Sequence, residues 1–177
     1  MPRIAIVGNS GSGKSTLASQ LTSEMETRLK GPCAYLDLDT IAWQSDAPTE
    51  LRPHEEAAGD VREFCNNNPH WVVEGCYADL IEVALEAQAT LLFLDPGVAV
   101  CQDHCRNRPW EPHKYSSKAA QDKNLSFLLD WVADYYQRQG TLSHQAHQSL
   151  FDGYSGPKHH LTQADYQHDW RNLITDS

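Results

Sequence analysis

Residues 8 to 16 read Gly8-Asn9-Ser10-Gly11-Ser12-Gly13-Lys14-Ser15-Thr16, and this stretch decides the fold. It satisfies the spacing G-x-x-x-x-G-K-[ST], the pattern of a loop whose successive backbone N–H groups wrap a chain of phosphates. Such a loop needs residues that tolerate unusual φ/ψ and let the main chain approach the anion, which Gly8, Gly11 and Gly13 supply. Asn9, Ser10 and Ser12 keep the intervening side chains small. Lys14 brings a point charge to the outer phosphates, and the Ser15 hydroxyl, followed by Thr16, suits a Mg²⁺ ion bridging the same oxygens. A helix starting at Gly13 then turns its positive end toward the anion.

The flanks agree. Arg3-Ile4-Ala5-Ile6-Val7 is a short apolar run ending at Gly8, as expected of a buried parallel strand. Beyond the loop Leu17, Ala18, Leu21, Met25 and Leu29 recur at helical spacing, and Gly31-Pro32 ends that helix.

The 177 residues suffice for one domain, 1–177, with a full core. A net charge of −10 provides no basic footprint for nucleic acid or an anionic membrane. Residues 4–7 are too short for a signal segment and no run has membrane-spanning length, so the expectation is a cytoplasmic protein, monomer or homodimer. The cysteines number five and lack CxxC pairing, which points to reduced thiols. Cys101 and Cys105, with His104 between them, share a helical face, either as metal ligands or as small buried apolar residues.

Strands and helices alternate along the rest of the chain. Cys33 to Asp39 predicts a second strand on which Asp37 and Asp39 point to one side, toward the ligand crevice at the carboxyl ends of the strands, unless they merely cap the next turn. Thr40 to Leu51, with Trp43 and Pro48, is irregular and shapes a pocket. Pro53, Glu55 and Glu56 suit a helix start, and Val61, Phe64 and Cys65 give that helix its buried stripe. Arg52 before it is an anion clamp or an ordinary surface arginine. Trp71 to Gly75 predicts a third strand ending in Glu74 and Gly75, with Tyr77 just after, and Ala78 to Ala87 a helix. Thr90 to Asp95 predicts a fourth strand with the form of a Walker B segment. Pro96 stands where many hydrolases of this kind carry a water-activating glutamate, which argues against a dedicated ATPase. GTPase and ABC-transporter signatures are absent.

Val98 to Arg106 predicts a helix leading into a polar segment, about 107–124, with the character of a lid. Arg106, Arg108 and, beyond the next helix, Arg138 bracket it, where they meet developing phosphoryl charge or pair with helix ends. Leu125 to Tyr136 restores a helical stripe that stops at Gly140. A further helix spans Leu142 to Asp152, Pro157 to Leu161 is the place for a fifth strand, and Thr162 opens a last helix carrying Tyr166, Trp170, Leu173 and Ile174. His159 and His160 are adjacent and read as structural. The alternation implies right-handed crossovers and an α/β fold whose parallel sheet is covered on both faces.

These segments together resemble the nucleoside-monophosphate-kinase-like P-loop proteins, most of all the adenylate-kinase-related group called DNA topology modulation, or FlaR-like, proteins. The resemblance rests on Gly8 to Thr16, Leu36-Asp37 through Trp43, Trp71-Val72-Val73-Glu74-Gly75-Cys76-Tyr77, Leu94-Asp95-Pro96 with Arg106 and Arg108, and the Trp131 to Arg138 helix. It implies a three-layer fold with parallel strand order 2-3-1-4-5 and a helical lid over the γ-phosphate. It also implies ATP and Mg²⁺ as cofactors, Arg106 and Arg108 as lid or adenine-stacking arginines, and Arg138 as a phosphate clamp. Asp37 and Asp39 resemble the D-x-D pair of shikimate- and gluconate-type kinases. The adenylate-kinase segment D-G-F-P-R is replaced by Glu74-Gly75-Cys76-Tyr77-Ala78, which removes the AMP-binding arginine.

The resulting expectation is an ATP-dependent small-molecule phosphotransferase, with an ATP-binding regulator of little turnover as the rival. Lys14, Asp39, Arg106, Arg108 and Arg138 are the catalytic candidates. Asp37, Asp39, Arg52, Glu74, Gly75 and Tyr77 are the acceptor-side candidates. Ser15, Asp37 and Asp95 are the Mg²⁺ candidates.

Overall fold

The computed structural model describes residues 2–45, 50–112 and 115–162. Five parallel strands form one sheet in the order β2-β3-β1-β4-β5. They are β1 (Arg3–Gly8), β2 (Ala34–Asp37), β3 (Trp71–Gly75), β4 (Thr90–Asp95) and β5 (Lys158–Thr162). The helices are α1 (Lys14–Leu29), α2 (Asp39–Ala42), α3 (His54–Asn67), α4 (Ala78–Leu85), α5 (Val98–Arg106), α6 (Lys118–Ala133) and α7 (His144–Gly153).

The central strands are mostly apolar because helices cover both faces, and the side-chain period of two sorts their residues into separate cores. Ile4, Ile6, Val72, Leu92 and Leu94 meet Ala18, Leu21 and Met25 of α1. Ala5, Val7, Val73, Leu91 and Phe93 meet residues of α3 and α4, with Leu150 and Phe151 of α7 packed alongside. Cys101 and Cys105 of α5 pack on Val132, Leu125, Leu128 and Leu129 of α6.

Several boundaries differ from expectation. β2 ends at Asp37, and Asp39 opens α2 instead of extending the strand. Asp37 Oδ1 accepts the Asp39 N–H at 2.9 Å, so the first acid caps the turn that carries the second, and the two do not share a strand face. The end of α1 is made by Lys30 in the left-handed region (φ 53°), one residue before Gly31. α6 begins at Lys118, where the Ser117 side chain accepts from the Ala120 N–H, so the C-terminal part of the lid segment is helical. Ser143 caps α7 in the same way, through Ala146 N–H, and starts it later than Leu142. Pro48, residues 113–114 of the lid segment and the last helix lie outside the described residues.

Candidate functional site: the phosphate loop and its cavity

β1 delivers the chain into the loop at the carboxyl edge of the sheet, and α1 leaves it at Lys14. Gly11 (φ 77°) and Gly13 (φ 91°) hold left-handed conformations, and a Cβ on Gly11 would lie 2.3 Å from the Cys101 carbonyl oxygen. Glycine is thus required at position 11 by conformation and by the close approach of α5. The loop turns through Ser12 N–H to Asn9 C=O at 3.1 Å.

Lys14 is 7% exposed and its Nζ donates to the Asn9 carbonyl at 2.9 Å, which folds the ammonium back over the loop. Burial opposes its charge, yet Cys76, Glu74 and Asp39 outweigh burial, and the ammonium is held above its ordinary range. It stays charged where phosphate would sit.

The loop floors a cavity of about 720 Å³. Ser10, Gly11, Gly13, Lys14, Ser15 and Thr16 line its base. Asp39, Glu74, Gly75 and Cys76, from the ends of β2 and β3, line it together with Asn107, Arg108, Pro109 and Glu111 beyond α5 and with Leu94 and Leu161 of β4 and β5. The register Ile6↔Glu74 sets the Glu74 carboxylate beside the loop. Glu74 is 2% exposed, and its Oε1 accepts from Ser15 Oγ at 2.6 Å and from the Tyr35 hydroxyl at 3.0 Å. Trp43 Nε1 donates to the Tyr77 hydroxyl at 2.7 Å, which in turn donates to Asp39 Oδ1 at 2.7 Å. Burial, then Asp39, pushes the Tyr77 phenol up, so it remains a proton donor to that carboxylate.

The cavity therefore gathers Lys14, Ser15, Asp39, Glu74, Gly75 and Arg108. Arg108 Nη1 donates to Glu111 Oε2 at 3.2 Å. Other candidates are placed elsewhere. Arg106 is exposed on the last turn of α5 and does not line the cavity. Arg52 donates to Asp60 at 2.6 Å and to the Ile41 carbonyl at 2.9 Å, tying α2 to α3. Arg138 donates through Nε to Leu142 C=O at 2.9 Å, through Nη1 to Trp131 C=O at 2.7 Å, and through Nη2 to Asn9 Oδ1 at 3.1 Å. Its guanidinium stacks 3.8 Å over the Trp131 ring. Asn9 also donates to Val132 C=O at 3.1 Å, so Arg138 holds the loop from behind and does not reach the cavity.

Asp95 accepts from the Tyr136 hydroxyl at 2.5 Å and faces His144 Nε2 at 3.2 Å. Asp37 caps α2. The carboxylate that meets Ser15 is thus Glu74, in place of the expected Asp37 or Asp95. His104, read in the sequence as sharing a helical face with Cys101 and Cys105, meets the loop instead, its Nδ1–H donating to the Gly11 carbonyl at 2.7 Å, and Tyr35, bonded to Glu74, is a site residue that sequence reasoning passed over. The spacing Cys101, His104, Cys105, Arg108 marks one helical face, and that face abuts the loop; burial raises the Cys101 thiol to about 12, in keeping with an apolar packing role. Tyr35 carries no comparable signal.

Among the described residues no group of three or more His, Cys, Asp or Glu side chains is placed to hold a metal. Mg²⁺ at nucleotide sites takes one or two protein oxygens besides phosphate and water, and the Ser15 hydroxyl with the Glu74 carboxylate suits that requirement. No described helix is long and apolar enough to cross a membrane.

No family model and no curated relative matches the sequence. Solved structures do resemble it. Kti12 from Chaetomium thermophilum, in complex with ADP-AlF3, is 17% identical with a TM-score of 0.52, over 97% of this chain and 95% of that one. A gluconokinase from Sinorhizobium meliloti is 12% identical with a TM-score of 0.51, over 98% of this chain and 87% of that one. Shikimate kinase from Acinetobacter baumannii, in complex with shikimate, is 18% identical with a TM-score of 0.45, over 85% and 91% of the two chains. With its parallel sheet in the order 2-3-1-4-5 and helices on both faces, the chain has the three-layer α/β P-loop fold seen in such kinases.

Proposed function

We propose that this chain is an ATP-dependent phosphotransferase acting on a small hydroxyl-bearing acceptor. One observation carries the proposal: a single cavity holds the phosphate loop with its buried Lys14 and, facing it, the Asp39 and Glu74 carboxylates. The loop amides, the start of α1 and the Lys14 ammonium bind the β- and γ-phosphates. Ser15 and Glu74 are the residues that would hold Mg²⁺, which when bound offsets the charge on the phosphate oxygens. Asp39, oriented by Tyr77 and through it by Trp43, aligns the acceptor hydroxyl and takes its proton. The acceptor oxygen forms a bond to the γ-phosphorus as the β–γ bridging P–O bond breaks, and ADP leaves with the bonding pair. Arg108, on the lid segment, would meet charge on the transferring group, and closure of that segment would exclude water.

Acceptor-dependent ADP release, measured with a coupled assay over a panel of nucleosides, nucleotides, sugars and hydroxy acids, tests this reading against the rival of an ATP-binding regulator. No stimulation above the buffer rate favours the rival. Lys14→Ala should abolish ATP binding by calorimetry with an unchanged far-UV spectrum, and retained affinity would refute the loop assignment.

A further inference from the structure

We infer that Tyr35 is a positioning residue for the Glu74 carboxylate and that, by tying up one oxygen of that carboxylate, it selects Mg²⁺ over Ca²⁺ as the ion accompanying ATP. The inference rests on Ser15 and Glu74 holding the metal and adds the residue that decides which metal they hold. The side-chain period of two brings Tyr35 to this task. Ala34 and Leu36 of β2 pack against the core shared with α3 and α4, so Tyr35 between them faces the α1 layer. Its register partner Val72 belongs to that layer, and Glu74, two residues further along β3 and paired with Ile6, stands on the same face. Tyr35 and Glu74 are thus diagonal neighbours on adjacent strands, within reach of a long side chain.

The Tyr35 hydroxyl donates to Glu74 Oε1 at 3.0 Å, and Ser15 Oγ donates to the same oxygen at 2.6 Å. Burial, then the charge of Glu74, pushes the Tyr35 phenol up, so the hydroxyl keeps its proton and remains a donor. Tyr35 as a whole is 43% exposed, so little of the core rests on its ring, and the bond to Glu74 is its main contribution. Two charge-assisted bonds on Oε1 leave Oε2 to meet a cation or its water. The two ions differ in what they then require. Mg²⁺ demands near-octahedral geometry, keeps several waters and needs few protein oxygens, whereas Ca²⁺ collects more oxygens and accepts both from one carboxylate. Bidentate binding at Glu74 would oblige Oε1 to give up the Tyr35 and Ser15 bonds, a cost that binding through Oε2 alone does not carry. Lys14, in electrostatic reach of Glu74, acts on both divalent ions alike and does not discriminate between them.

ATP affinity of the whole chain, measured by calorimetry with Mg²⁺, with Ca²⁺ and with a chelator, tests the idea in wild type, Tyr35→Phe, Glu74→Gln and the double variant. Tyr35→Phe should lower the ratio of Mg²⁺-ATP to Ca²⁺-ATP affinity about tenfold, the usual effect of removing a partner from a metal-binding side chain, with metal-free ATP affinity within about twofold of wild type. In the Glu74→Gln background the same substitution should leave the ratio unchanged, because the carboxylate through which Tyr35 acts is gone. A merely structural role would lower all three affinities together. An unchanged ratio in Tyr35→Phe, a parallel fall in all three affinities, or an equal change in the Glu74→Gln background overturns the inference. Failure of the parent reading is recognised separately: wild type would bind no ATP, or Glu74→Gln would leave the Mg²⁺ and Ca²⁺ affinities at their wild-type values.

Discussion

Replacing Arg138 by alanine separates two roles for one side chain, a clamp on the transferring phosphate and a brace behind the loop that holds it. The guanidinium donates to Trp131 C=O at 2.7 Å, Leu142 C=O at 2.9 Å and Asn9 Oδ1 at 3.1 Å, and lies 3.8 Å from the Trp131 ring. A hydrogen bond from a charged donor contributes roughly 1.5–3 kcal/mol, and a cation–π contact about 1 kcal/mol. These contacts share one half-buried group, so they do not add, and about 3 kcal/mol is a fair sum for the truncation. In a chain of this size that lowers Tm by roughly 6–12 °C. ATP affinity, read by calorimetry below the transition, should fall less than about tenfold, because Asn9 keeps its bond to Val132 C=O. A clamp would behave in the opposite way, since an arginine on developing phosphoryl charge changes the rate by about 10³-fold or more. An unchanged Tm with a loss of that size in ATP affinity or turnover would refute the brace.

Gly11→Ala places a Cβ 2.3 Å from the Cys101 carbonyl at φ 77°. The left-handed backbone alone costs about 1–2 kcal/mol, so ATP affinity should fall at least tenfold; wild-type affinity in calorimetry would mean that α5 does not press on the loop. Glu74→Gln keeps the shape beside Ser15 and removes the charge. The Mg²⁺ concentration for half-maximal turnover should rise about tenfold while metal-free ATP binding changes little, and an unaltered Mg²⁺ dependence would exclude Glu74 from the metal. His147, fully buried, has its pKa lowered from 6.5 to about 4, first by desolvation. Its Nε2–H donates to the Cys76 carbonyl and its Nδ1 accepts from the Tyr135 hydroxyl, each at 2.7 Å, a pattern that only the neutral ring satisfies. Below about pH 6.5 the unfolded chain takes a proton that the native ring refuses, so stability falls as pH drops toward 4, by on the order of 3 kcal/mol from this group. Urea unfolding across that window should show the slope, and His147→Gln should flatten it.

The sequence by itself determined the loop, the parallel sheet and most element boundaries, because these depend on short-range spacing: glycines at fixed intervals, apolar runs bounded by breakers, and a helical repeat after Lys14. The expectations that moved depend on partners far apart in the chain. Whether Asp37, Glu74 or Asp95 meets Ser15 follows from the β1–β3 register and from where β2 stops, and both are set by packing across the sheet. Asp95 has the sequence form of a metal ligand, yet Tyr136 and His144 from later segments occupy it. Arg138 is 129 positions from Asn9, and no pattern along the chain records that they touch. Local conformational preference is written in neighbouring residues, whereas the assignment of each charged side chain waits on which surfaces the folded layers bring together, and at this site that assignment separates a group that faces the cavity from one that supports it.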